Sequence, residues 1–237
     1  MKERIENAIL MASGLGTRML PLTKTVPKPL IKVCGKPMIE TIIDGLNIRG
    51  VSTIYIVVGY LGDRFEYLSI KYDNICIIKN DDYRTINNIS SVFAARKKLL
   101  EADCFICEAD LFVSDLDIFM PTLNESCYFG KMVEGYSDDW VFEIGNDGHI
   151  TRVGKSGNDC YNMVGIAYLK KADAKLLADA IEKAYGQKGY ETLFWDDVVN
   201  DNLDKLKLKV HPVSPTQIME IDTVEELNLA NRLVSKS

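Results

Sequence analysis

Short apolar runs alternate with helix-spaced apolar positions through the first half of the chain. Residues 8–11, 53–58 and 75–78 are each long enough for one buried strand. Between the first two runs, apolar residues recur at helical spacing over 38–46, and Gly50 provides a stop signal. Strands that alternate with amphipathic helices are typical of βαβ units. The pattern therefore predicts an α/β fold with a predominantly parallel, doubly wound sheet.

The second half changes to strands that follow one another directly. An antiparallel hairpin is expected around 146–148, because the sequence Asn-Asp-Gly favours a tight turn. Amphipathic helices are expected at 171–185 and 191–200, and a last strand precedes a capping box that starts at Thr223. Further strands are expected at 128–133, 140–144, 150–153 and 162–169. Because no linker rich in Pro, Gly or Ser separates the halves, residues 1–237 are predicted to form a single domain with a smaller antiparallel portion.

Composition narrows the classes of function. The chain has 237 residues, of which 47% are hydrophobic, enough for one sizeable core. A net charge of −6 argues against a nucleic-acid partner, since nucleic-acid-binding domains are usually basic. No apolar run has the length of a transmembrane helix, and residues 1–6 mix both charges, unlike a signal peptide. The six cysteines, with Cys104 and Cys107 in a CxxC spacing, are expected to be reduced core residues of a cytoplasmic protein.

A glycine-rich loop follows the first strand. Gly14 and Gly16 let backbone N–H groups approach a ligand closely, which suits phosphate oxygens. Arg18 adds a guanidinium, and Lys28, which lies between two prolines, adds a second cation. The loop lacks the Gly-Lys-Ser/Thr of a P-loop, because Thr-Arg follows Gly16. It also lacks the third glycine of a dinucleotide fingerprint, since Met19 stands near that position.

The string small-Gly-x-Gly-Thr-Arg-x-x-Pro-Leu-Thr at 13–23, with Pro-Lys at 27–28, closely resembles the signature of nucleotidyltransferases that couple an NTP to a phosphorylated small molecule. That family includes sugar-1-phosphate nucleotidyltransferases and bacterial choline-phosphate cytidylyltransferases. The resemblance implies a Rossmann-like sheet, with a nucleotide-binding half over about 1–112 and a substrate-binding half over about 113–237. It implies that Arg18 and Lys28 are the catalytic cations that neutralise the phosphates. The expected nucleotide-binding residues of this region are Leu10, Ala12, Gly14, Gly16, Thr17, Arg18 and Lys28.

Two aspartates end strand-like runs and are candidate metal ligands. Asp110 closes the run 103–110, and Asp222 closes 217–222, although each also has an interpretation as a loop or helix cap. A carboxylate at the carboxyl end of a strand in an open α/β sheet points into the ligand crevice. In the resembling family, aspartates at these places bind Mg²⁺, which takes oxygen ligands. We therefore expect Asp110 and Asp222 to hold Mg²⁺ and Asp110 to contact the nucleotide, with Glu108 ranked lower.

The polar stretch 80–91 precedes a helical pattern that carries Val92. One interpretation is an Asn/Ser helix cap. The other assigns amide groups to a nucleotide base, because base recognition needs donors and acceptors on rigid elements. The resembling family has this loop against the NTP base. On that resemblance Asn87, Asn88 and Ser90 are expected on the cytidine side.

Two tryptophan-containing segments suggest the second substrate. The segments 138–140 and 193–197 resemble those that surround choline in bacterial choline-phosphate cytidylyltransferases. A quaternary ammonium cannot donate hydrogen bonds, so proteins hold it with aromatic faces and nearby carboxylates. The expected rings are Trp140, Phe194 and Trp195, and the expected carboxylates are Asp139 and Asp196. Phe194 stands where that family tends to have Tyr, and the alternative is that both tryptophans are core residues.

These observations predict a Mg²⁺-dependent enzyme that transfers the cytidylyl group of CTP to phosphocholine and releases CDP-choline and pyrophosphate. The runner-up is a sugar-1-phosphate nucleotidyltransferase, for which Lys155 offers a phosphate contact. A different class is a non-catalytic nucleotide sensor, against which the joint presence of Arg18, Lys28, Asp110 and Asp222 argues. CTP and phosphocholine are the expected partners, without nucleic acid or membrane insertion. The sequence leaves a homodimer open.

Overall fold

Strands and helices alternate along the chain in the computed structural model, which describes residues 5–235. The strands are β1 (Glu6–Ala12), β2 (Lys32–Val33), β3 (Lys36–Pro37), β4 (Thr53–Val58), β5 (Ile75–Lys79), β6 (Asp103–Glu108), β7 (Leu111–Val113), β8 (Cys127–Ile144), β9 (Ile150–Leu169), β10 (Lys209–Pro212) and β11 (Ile218–Glu220). The α-helices are α1 (Met38–Arg49), α2 (Glu66–Lys71), α3 (Ile89–Ala95), α4 (Lys171–Ala184), α5 (Trp195–Asn200) and α6 (Val224–Val234). Most of the segment 1–6, on which the absence of a signal peptide was predicted, lies outside the described residues.

The described strands form a central sheet in the order β10-β8-β9-β6-β1-β4-β5. The pairs β1–β4, β1–β6, β4–β5 and β10–β8 are parallel, and β9 is antiparallel to both β6 and β8. Two small antiparallel sheets, β2–β3 and β7–β11, flank it. The predicted α/β class with a predominantly parallel sheet is confirmed.

Helices cover both faces of the central sheet, because the strands are apolar on both sides. Alternate residues of β1 show this: Ala8 and Leu10 face a cluster with α1, whereas Ile9 faces a cluster with α3, α4 and α5. A third cluster lies between β2, β7 and α6 and includes Met19 from the glycine-rich loop. The loop is therefore packed onto the core on one side and open on the other.

The long hairpin β8–β9 differs from the separate short strands that periodicity predicts. Each strand runs without a break through the expected gaps, but the pairing register shifts at several points, for example between Val133 and Tyr136. Gly135, Ser156 and Asp159 have positive φ angles of 76°, 62° and 47° along this irregular part. Bulges break the period-2 pattern, so the sequence shows fragments of what is one hairpin. Its predicted tight turn is confirmed, with Gly148 at φ 79°.

The helix predicted for 191–200 begins only at Trp195. Residues Tyr190–Thr192 form a 3-10 turn instead, and Phe194 is extended with φ −81° and ψ 153°. The side chain of Asp197 accepts a hydrogen bond from the backbone N–H of Phe194 at 2.8 Å, which defines the start of the helix. This later start allows Phe194 to line a cavity.

The expectation that the cysteines are core residues is confirmed only in part, since Cys34 and Cys76 are exposed and Cys160 is partly buried. Cys104, Cys107 and Cys127 are buried, and all six thiols are free. Burial raises the pKa of the Cys104 and Cys107 thiols above the usual value, which makes them unreactive neutral side chains. Among the described residues, no helix combines the length and apolar character needed to cross a membrane.

Candidate functional site

A cavity of about 590 Å³ opens at the carboxyl ends of β1 and β6. This is where open α/β sheets place their ligands. One wall is the glycine-rich loop, and the opposite wall combines the β8–β9 hairpin with the start of α5. The sequence-predicted residues on its wall are Ala12, Gly14, Gly16, Thr17, Arg18, Lys28, Asn87, Asn88, Ser90, Asp110, Asp139, Trp140, Phe194, Asp196 and Asp222.

The two glycines of the loop have different roles. Gly16 adopts a left-handed φ of 62°, and a Cβ there would come within 2.9 Å of the Lys28 side chain. The hydroxyl of Thr23 donates to the carbonyl of Gly16 at 2.9 Å and fixes the turn. Gly14 has nothing within 4 Å of an ideal Cβ position. Gly16 thus allows close packing against Lys28, whereas Gly14 leaves open space on the cavity wall for a ligand.

Lys28 joins two carboxylates that are distant in sequence. Its Nζ lies 2.5 Å from Oδ2 of Asp110 and also contacts Oδ1 of Asp222, and the residue is 7% exposed. Arg18 Nη2 lies 2.7 Å from the same Asp222 oxygen. Burial alone would lower the pKa of Lys28, but Asp110 and Asp222 outweigh it, and the pKa is raised. Lys28 therefore remains a cation at the centre of the site.

The helix-cap interpretation of Asp222 is wrong for its side chain. The box that caps α6 is formed by Thr223 and Glu226, whose side chains accept each other's backbone N–H at 3.2 and 2.9 Å. Glu226 also accepts the backbone N–H of Asp222 at 2.7 Å. The Asp222 carboxylate is left to face Lys28 and Arg18 in the cavity.

Glu220 is a cavity residue that the sequence analysis missed. It lies on β11 two positions before Asp222, so strand alternation places both on one face, which was the available signal. Glu220 is exposed at the cavity surface, where partial desolvation and the nearby charges of Asp110 and Asp222 raise its pKa. Glu108, also on the wall, has its pKa raised by burial and by Asp110. The floor of the cavity therefore concentrates carboxylates that a cationic ligand would stabilise.

Asn87, Asn88 and Ser90 line the cavity, but their hydrogen bonds run to the chain itself. Ser90 Oγ donates to the carbonyl of Asn87 at 2.8 Å and accepts from Asn80 Nδ2 at 2.8 Å. Asn87 Oδ1 accepts the backbone N–H of Asn88 at 2.7 Å. Asn88 Oδ1 accepts the backbone N–H of Trp195 at 2.9 Å. Their assignment to cytidine stays a prediction.

An aromatic corner lies at the hairpin end of the cavity. The rings of Trp140 and Phe194 meet edge to face, with centroids 5.3 Å apart. Lys155 Nζ, also on the wall, lies 5.9 Å from the centroid of the Trp140 ring. Asp139 Oδ1 accepts the backbone N–H of Trp140 at 2.8 Å. Two rings, a lysine and a carboxylate thus surround this part of the cavity.

Two sequence-predicted residues do not reach the cavity wall. Trp195 is 3% exposed and packs in the core, where its ring centroid lies 5.6 Å from that of Tyr128. The prediction that Trp195 is one of the aromatic rings around the ligand is wrong, because the first turn of α5 directs its side chain into the core. The Leu10 side chain is fully buried within β1, so it does not line the cavity either.

Asp196 is the most deeply buried carboxylate of the wall. It is 2% exposed, and the hydroxyl of Tyr128 donates to its Oδ1 at 2.9 Å. Burial raises the pKa of Asp196 to about 7, although the Tyr128 hydrogen bond opposes this. Burial thus disfavours the charged form of Asp196, and a ligand cation beside it would stabilise that form.

The carboxylate pair fits a magnesium ion. Asp110 and Asp222 both contact a single cationic group, Lys28 Nζ, so they are close enough to share one ion. Within residues 5–235 there is no cluster of three or more His, Cys, Asp or Glu arranged to hold a metal. Two carboxylates with substrate phosphates are the usual donor set for Mg²⁺ at such sites.

Known proteins with a similar sequence carry related activities. The family model for Nucleotidyl transferase matches residues 7–117. A 2-aminoethylphosphonate cytidylyltransferase of Lancefieldella rimae is 52% identical, over 93% of this chain and 90% of its own. A choline-phosphate cytidylyltransferase of Streptococcus pneumoniae is 32% identical, over 92% of this chain and 94% of its own.

Solved structures agree with the fold. A structure of the CTP:phosphocholine cytidylyltransferase of Streptococcus pneumoniae has a TM-score of 0.88 at 30% identity, covering 97% of this chain and 99% of that one. The inositol-1-phosphate CTP transferase of T. maritima has a TM-score of 0.79 at 18% identity, covering 100% and 97%, which shows the fold alone. On the cavity, its glycine-rich loop and these likenesses, the chain belongs to the nucleotidyl transferase family and, within it, to the cytidylyltransferases.

Proposed function

We propose that this cytidylyltransferase transfers the cytidylyl group of CTP to 2-aminoethylphosphonate and releases pyrophosphate. The observation that carries the proposal is the buried carboxylate of Asp196 on the cavity wall next to Phe194. A primary ammonium has N–H donors that a carboxylate accepts, and burial strengthens such a contact. The 52% identity to a protein that carries this activity supports the same acceptor.

The small number of aromatic rings on the cavity wall favours a primary over a quaternary ammonium. A quaternary ammonium offers no N–H donor and relies on aromatic faces. Because Trp195 lies in the core, the cavity wall retains Trp140 and Phe194 of the three rings expected from the sequence. Lys155 also lies near the Trp140 face, so that face already has a cation beside it. Carboxylates are therefore the stronger recognition element at this end of the cavity.

Charge neutralisation and positioning account for the chemistry. A phosphonate oxygen attacks the α-phosphorus of CTP, the new P–O bond forms, and the bond from the α-phosphorus to the leaving pyrophosphate breaks. The attacking oxygen is already ionised at neutral pH, so the reaction needs no strong general base. Arg18 and Lys28 lie where they neutralise the phosphates, and the open wall at Gly14 gives those phosphates room.

Magnesium belongs to the proposal. Asp110 and Asp222 would hold the ion, and a bound ion supplies charge neutralisation at the triphosphate. Lys155, on the wall near Trp140, is the cation available to the phosphonate group at the acceptor end. These roles leave Asp196 and Asp139 to the ammonium end of the same small molecule.

Phosphocholine is the second candidate acceptor. The edge-to-face pair of Trp140 and Phe194 offers aromatic surface to a trimethylammonium group. The choline-phosphate cytidylyltransferase of Streptococcus pneumoniae is 32% identical. A sugar 1-phosphate is less well supported, because a putative glucose-1-phosphate thymidylyltransferase structure is 19% identical and shows the fold alone.

The test measures pyrophosphate release from CTP with four acceptors: 2-aminoethylphosphonate, phosphocholine, phosphoethanolamine and glucose 1-phosphate. We expect the largest kcat/KM with 2-aminoethylphosphonate, at least tenfold above phosphocholine. Replacing CTP with UTP tests whether the enzyme is specific for the cytosine base. A larger kcat/KM for phosphocholine would move the quaternary ammonium to first place, and turnover of glucose 1-phosphate alone would reject the amine acceptors.

A further inference from the structure

The loop that precedes α3 holds the segment that supplies Phe194 and Asp196. The backbone N–H of Asn87 donates to the carbonyl of Glu191 at 2.8 Å, and its Nδ2 donates to the carbonyl of Thr192 at 3.1 Å. Asn88 Oδ1 accepts the backbone N–H of Trp195 at 2.9 Å. We call residues 190–196 the acceptor segment. Three hydrogen bonds from two consecutive asparagines thus tie it to the other side of the cavity.

The bond from Trp195 has the largest consequence for the cavity. Trp195 is the first residue of α5, and backbone N–H groups in a first helical turn have no partner within the helix. Asn88 supplies that partner from 107 positions away in the chain. The two neighbours of this anchored N–H group, Phe194 and Asp196, both lie on the cavity wall.

The Asn87 side chain is committed on both of its polar atoms. Oδ1 accepts from Asn88 and Nδ2 donates to Thr192. A side-chain amide whose oxygen and nitrogen both bond to the chain is held in one orientation. Asn87 in turn fixes the backbone from which the Asn88 side chain extends. The two residues form one unit, which we call the asparagine clamp (Asn87 and Asn88).

We propose that Asn88 is a positioning residue for the acceptor, and that it acts by holding the acceptor segment so that Phe194 and Asp196 line the cavity. This inference rests on the proposed function only for the statement that the acceptor binds against those two residues. It replaces the role in cytidine recognition that the sequence suggested for Asn88. Loss of the clamp loosens the acceptor end and leaves the phosphate-binding loop intact.

The decisive variants are Asn88→Ala and Asn88→Asp. Alanine removes the oxygen that accepts the Trp195 N–H, whereas aspartate keeps an oxygen in the same place. In the full-length enzyme we expect Asn88→Ala to raise the KM for the acceptor roughly tenfold with the KM for CTP changed less than twofold. Asn88→Asp should recover most of the acceptor KM. Asn74→Ala is the matched control, since it removes side-chain amide bonds to Asn47 and Val51 away from the cavity.

Hydrogen exchange provides a readout that does not depend on turnover. We expect amides of the acceptor segment to exchange faster in Asn88→Ala, with wild-type exchange restored in Asn88→Asp. A rise in the KM for CTP with an unchanged acceptor KM would overturn the proposal and return Asn88 to the nucleotide. Unchanged exchange in the acceptor segment would overturn it as well.

The acceptor used in this test is whichever one the wild-type enzyme turns over. If wild type uses phosphocholine and not 2-aminoethylphosphonate, the proposed function fails while the clamp is still tested with phosphocholine. If wild type uses 2-aminoethylphosphonate and Asn88→Ala behaves as wild type, the clamp fails alone. The two proposals therefore have separate outcomes.

Discussion

Lys28 lies between Asp110 and Asp222, and its ammonium is the buried counter-ion of both carboxylates. The sequence predicts a phosphate-binding cation here, because Pro-Lys follows the glycine-rich loop. It does not predict the two carboxylates as partners, because each lies far along the chain and nothing local joins them. In the structure, one side chain therefore stabilises the ligand-free site and is available to the phosphates when a nucleotide binds.

Lys28→Ala should impair both stability and turnover. Removing one member of a buried ion pair costs about 3–5 kcal/mol, and here Asp110 loses the cation that contacts it, whereas Asp222 keeps Arg18. Turnover should fall roughly 10²-fold or more, the scale for loss of one charge-stabilising donor. Thermal unfolding and pyrophosphate release measure the two effects. Lys209→Ala, which removes an exposed partner of the exposed Glu125, is the control and should be near wild type in both.

A result with normal stability and lowered turnover would show that Lys28 is not the counter-ion of the aspartates. Addition of Mg²⁺ gives a further check. Because the ion and Lys28 share the carboxylate pair, Mg²⁺ should raise the melting temperature of Lys28→Ala more than that of wild type.

Asp196 makes the stability of the protein depend on pH. Its pKa is about 7 in the folded protein, whereas an unfolded aspartate titrates near about 3.9. The folded state therefore binds this proton more tightly, so the contribution is present below the unfolded value and is lost as the pH rises through about 7. Asparagine imitates the protonated form at every pH.

Asp196→Asn should accordingly melt at a higher temperature than wild type at pH 8 and by a clearly smaller margin at pH 5, which lies inside the interval over which the contribution is lost. Each tenfold change in proton affinity corresponds to about 1.4 kcal/mol, so a difference of several degrees is expected at pH 8. Melting curves across this range measure it. An equal difference in melting temperature between the variant and wild type at both pH values would contradict the raised pKa of Asp196, because a pure packing effect does not depend on pH.

At the scale of elements, the sequence pattern correctly predicts the helices and strands whose bounds depend on nearby residues. The periodicity of α1 and α4, the runs of β4 and β5, and the capping box of α6 all agree with the structure within a residue or two. These elements depend on hydrophobic spacing and on caps that lie within a few residues. The sheet and its two covered faces follow from them.

The hairpin β8–β9 and the start of α5 could not be predicted in the same way. The register of the hairpin depends on bulges, and the start of α5 depends on a bond from Asn88, 107 positions earlier. Apolar residues do recur at helical spacing over 191–200, but the segment before Trp195 is hydrogen-bonded to Asn87 and forms no α-helix. Long-range hydrogen bonds therefore override the local pattern where the two halves of the cavity meet.

The two tryptophans should respond differently to truncation, although both were predicted to surround the ligand. Trp140→Ala should raise the KM for phosphocholine by roughly tenfold, the scale of about 1–2 kcal/mol for a desolvated cation–π contact, and the KM for 2-aminoethylphosphonate by less, with little change in melting temperature. Trp195→Ala should instead destabilise the fold by about 3–5 kcal/mol, because it empties a core position. Melting curves and acceptor kinetics together measure the contrast.

Phenylalanine and leucine at position 140 separate aromatic recognition from packing. Trp140→Phe keeps a ring face and should recover part of the acceptor KM, whereas Trp140→Leu fills comparable space without a ring. Equal performance of the two variants would reject the aromatic corner as a cation site. A large loss of stability in Trp140→Ala would place this residue in the core as well.

At the scale of the whole molecule, the sheet brings distant charges to one edge. The chain has a net charge of −6, yet a cytidylyltransferase has to bind a nucleoside triphosphate, which is also negatively charged. Lys28 lies 82 positions before Asp110 and 194 positions before Asp222, and the carboxyl ends of β1 and β6 lie side by side. The family signature predicted most of the residues on the cavity wall, because the residues of a sequence motif lie together in the folded site. It could not distinguish Trp140 from Trp195, since both occur in segments that resemble the family.

The carboxylate pair provides the last prediction. Asp110→Asn and Asp222→Asn are isosteric, and each leaves Lys28 with one remaining carboxylate, so both variants should fold with melting temperatures near that of wild type. Each should lose most of its turnover, because Mg²⁺ at such a site is held through one or two carboxylates and the substrate phosphates. Without nucleotide, Mg²⁺ should raise the melting temperature of wild type and have a smaller effect on either variant, which gives a test independent of catalysis. Wild-type turnover at saturating Mg²⁺ would remove the substituted aspartate from the metal site. An unchanged Mg²⁺ effect in both variants would place the ion elsewhere in the cavity, whose wall also carries Glu108 and Glu220.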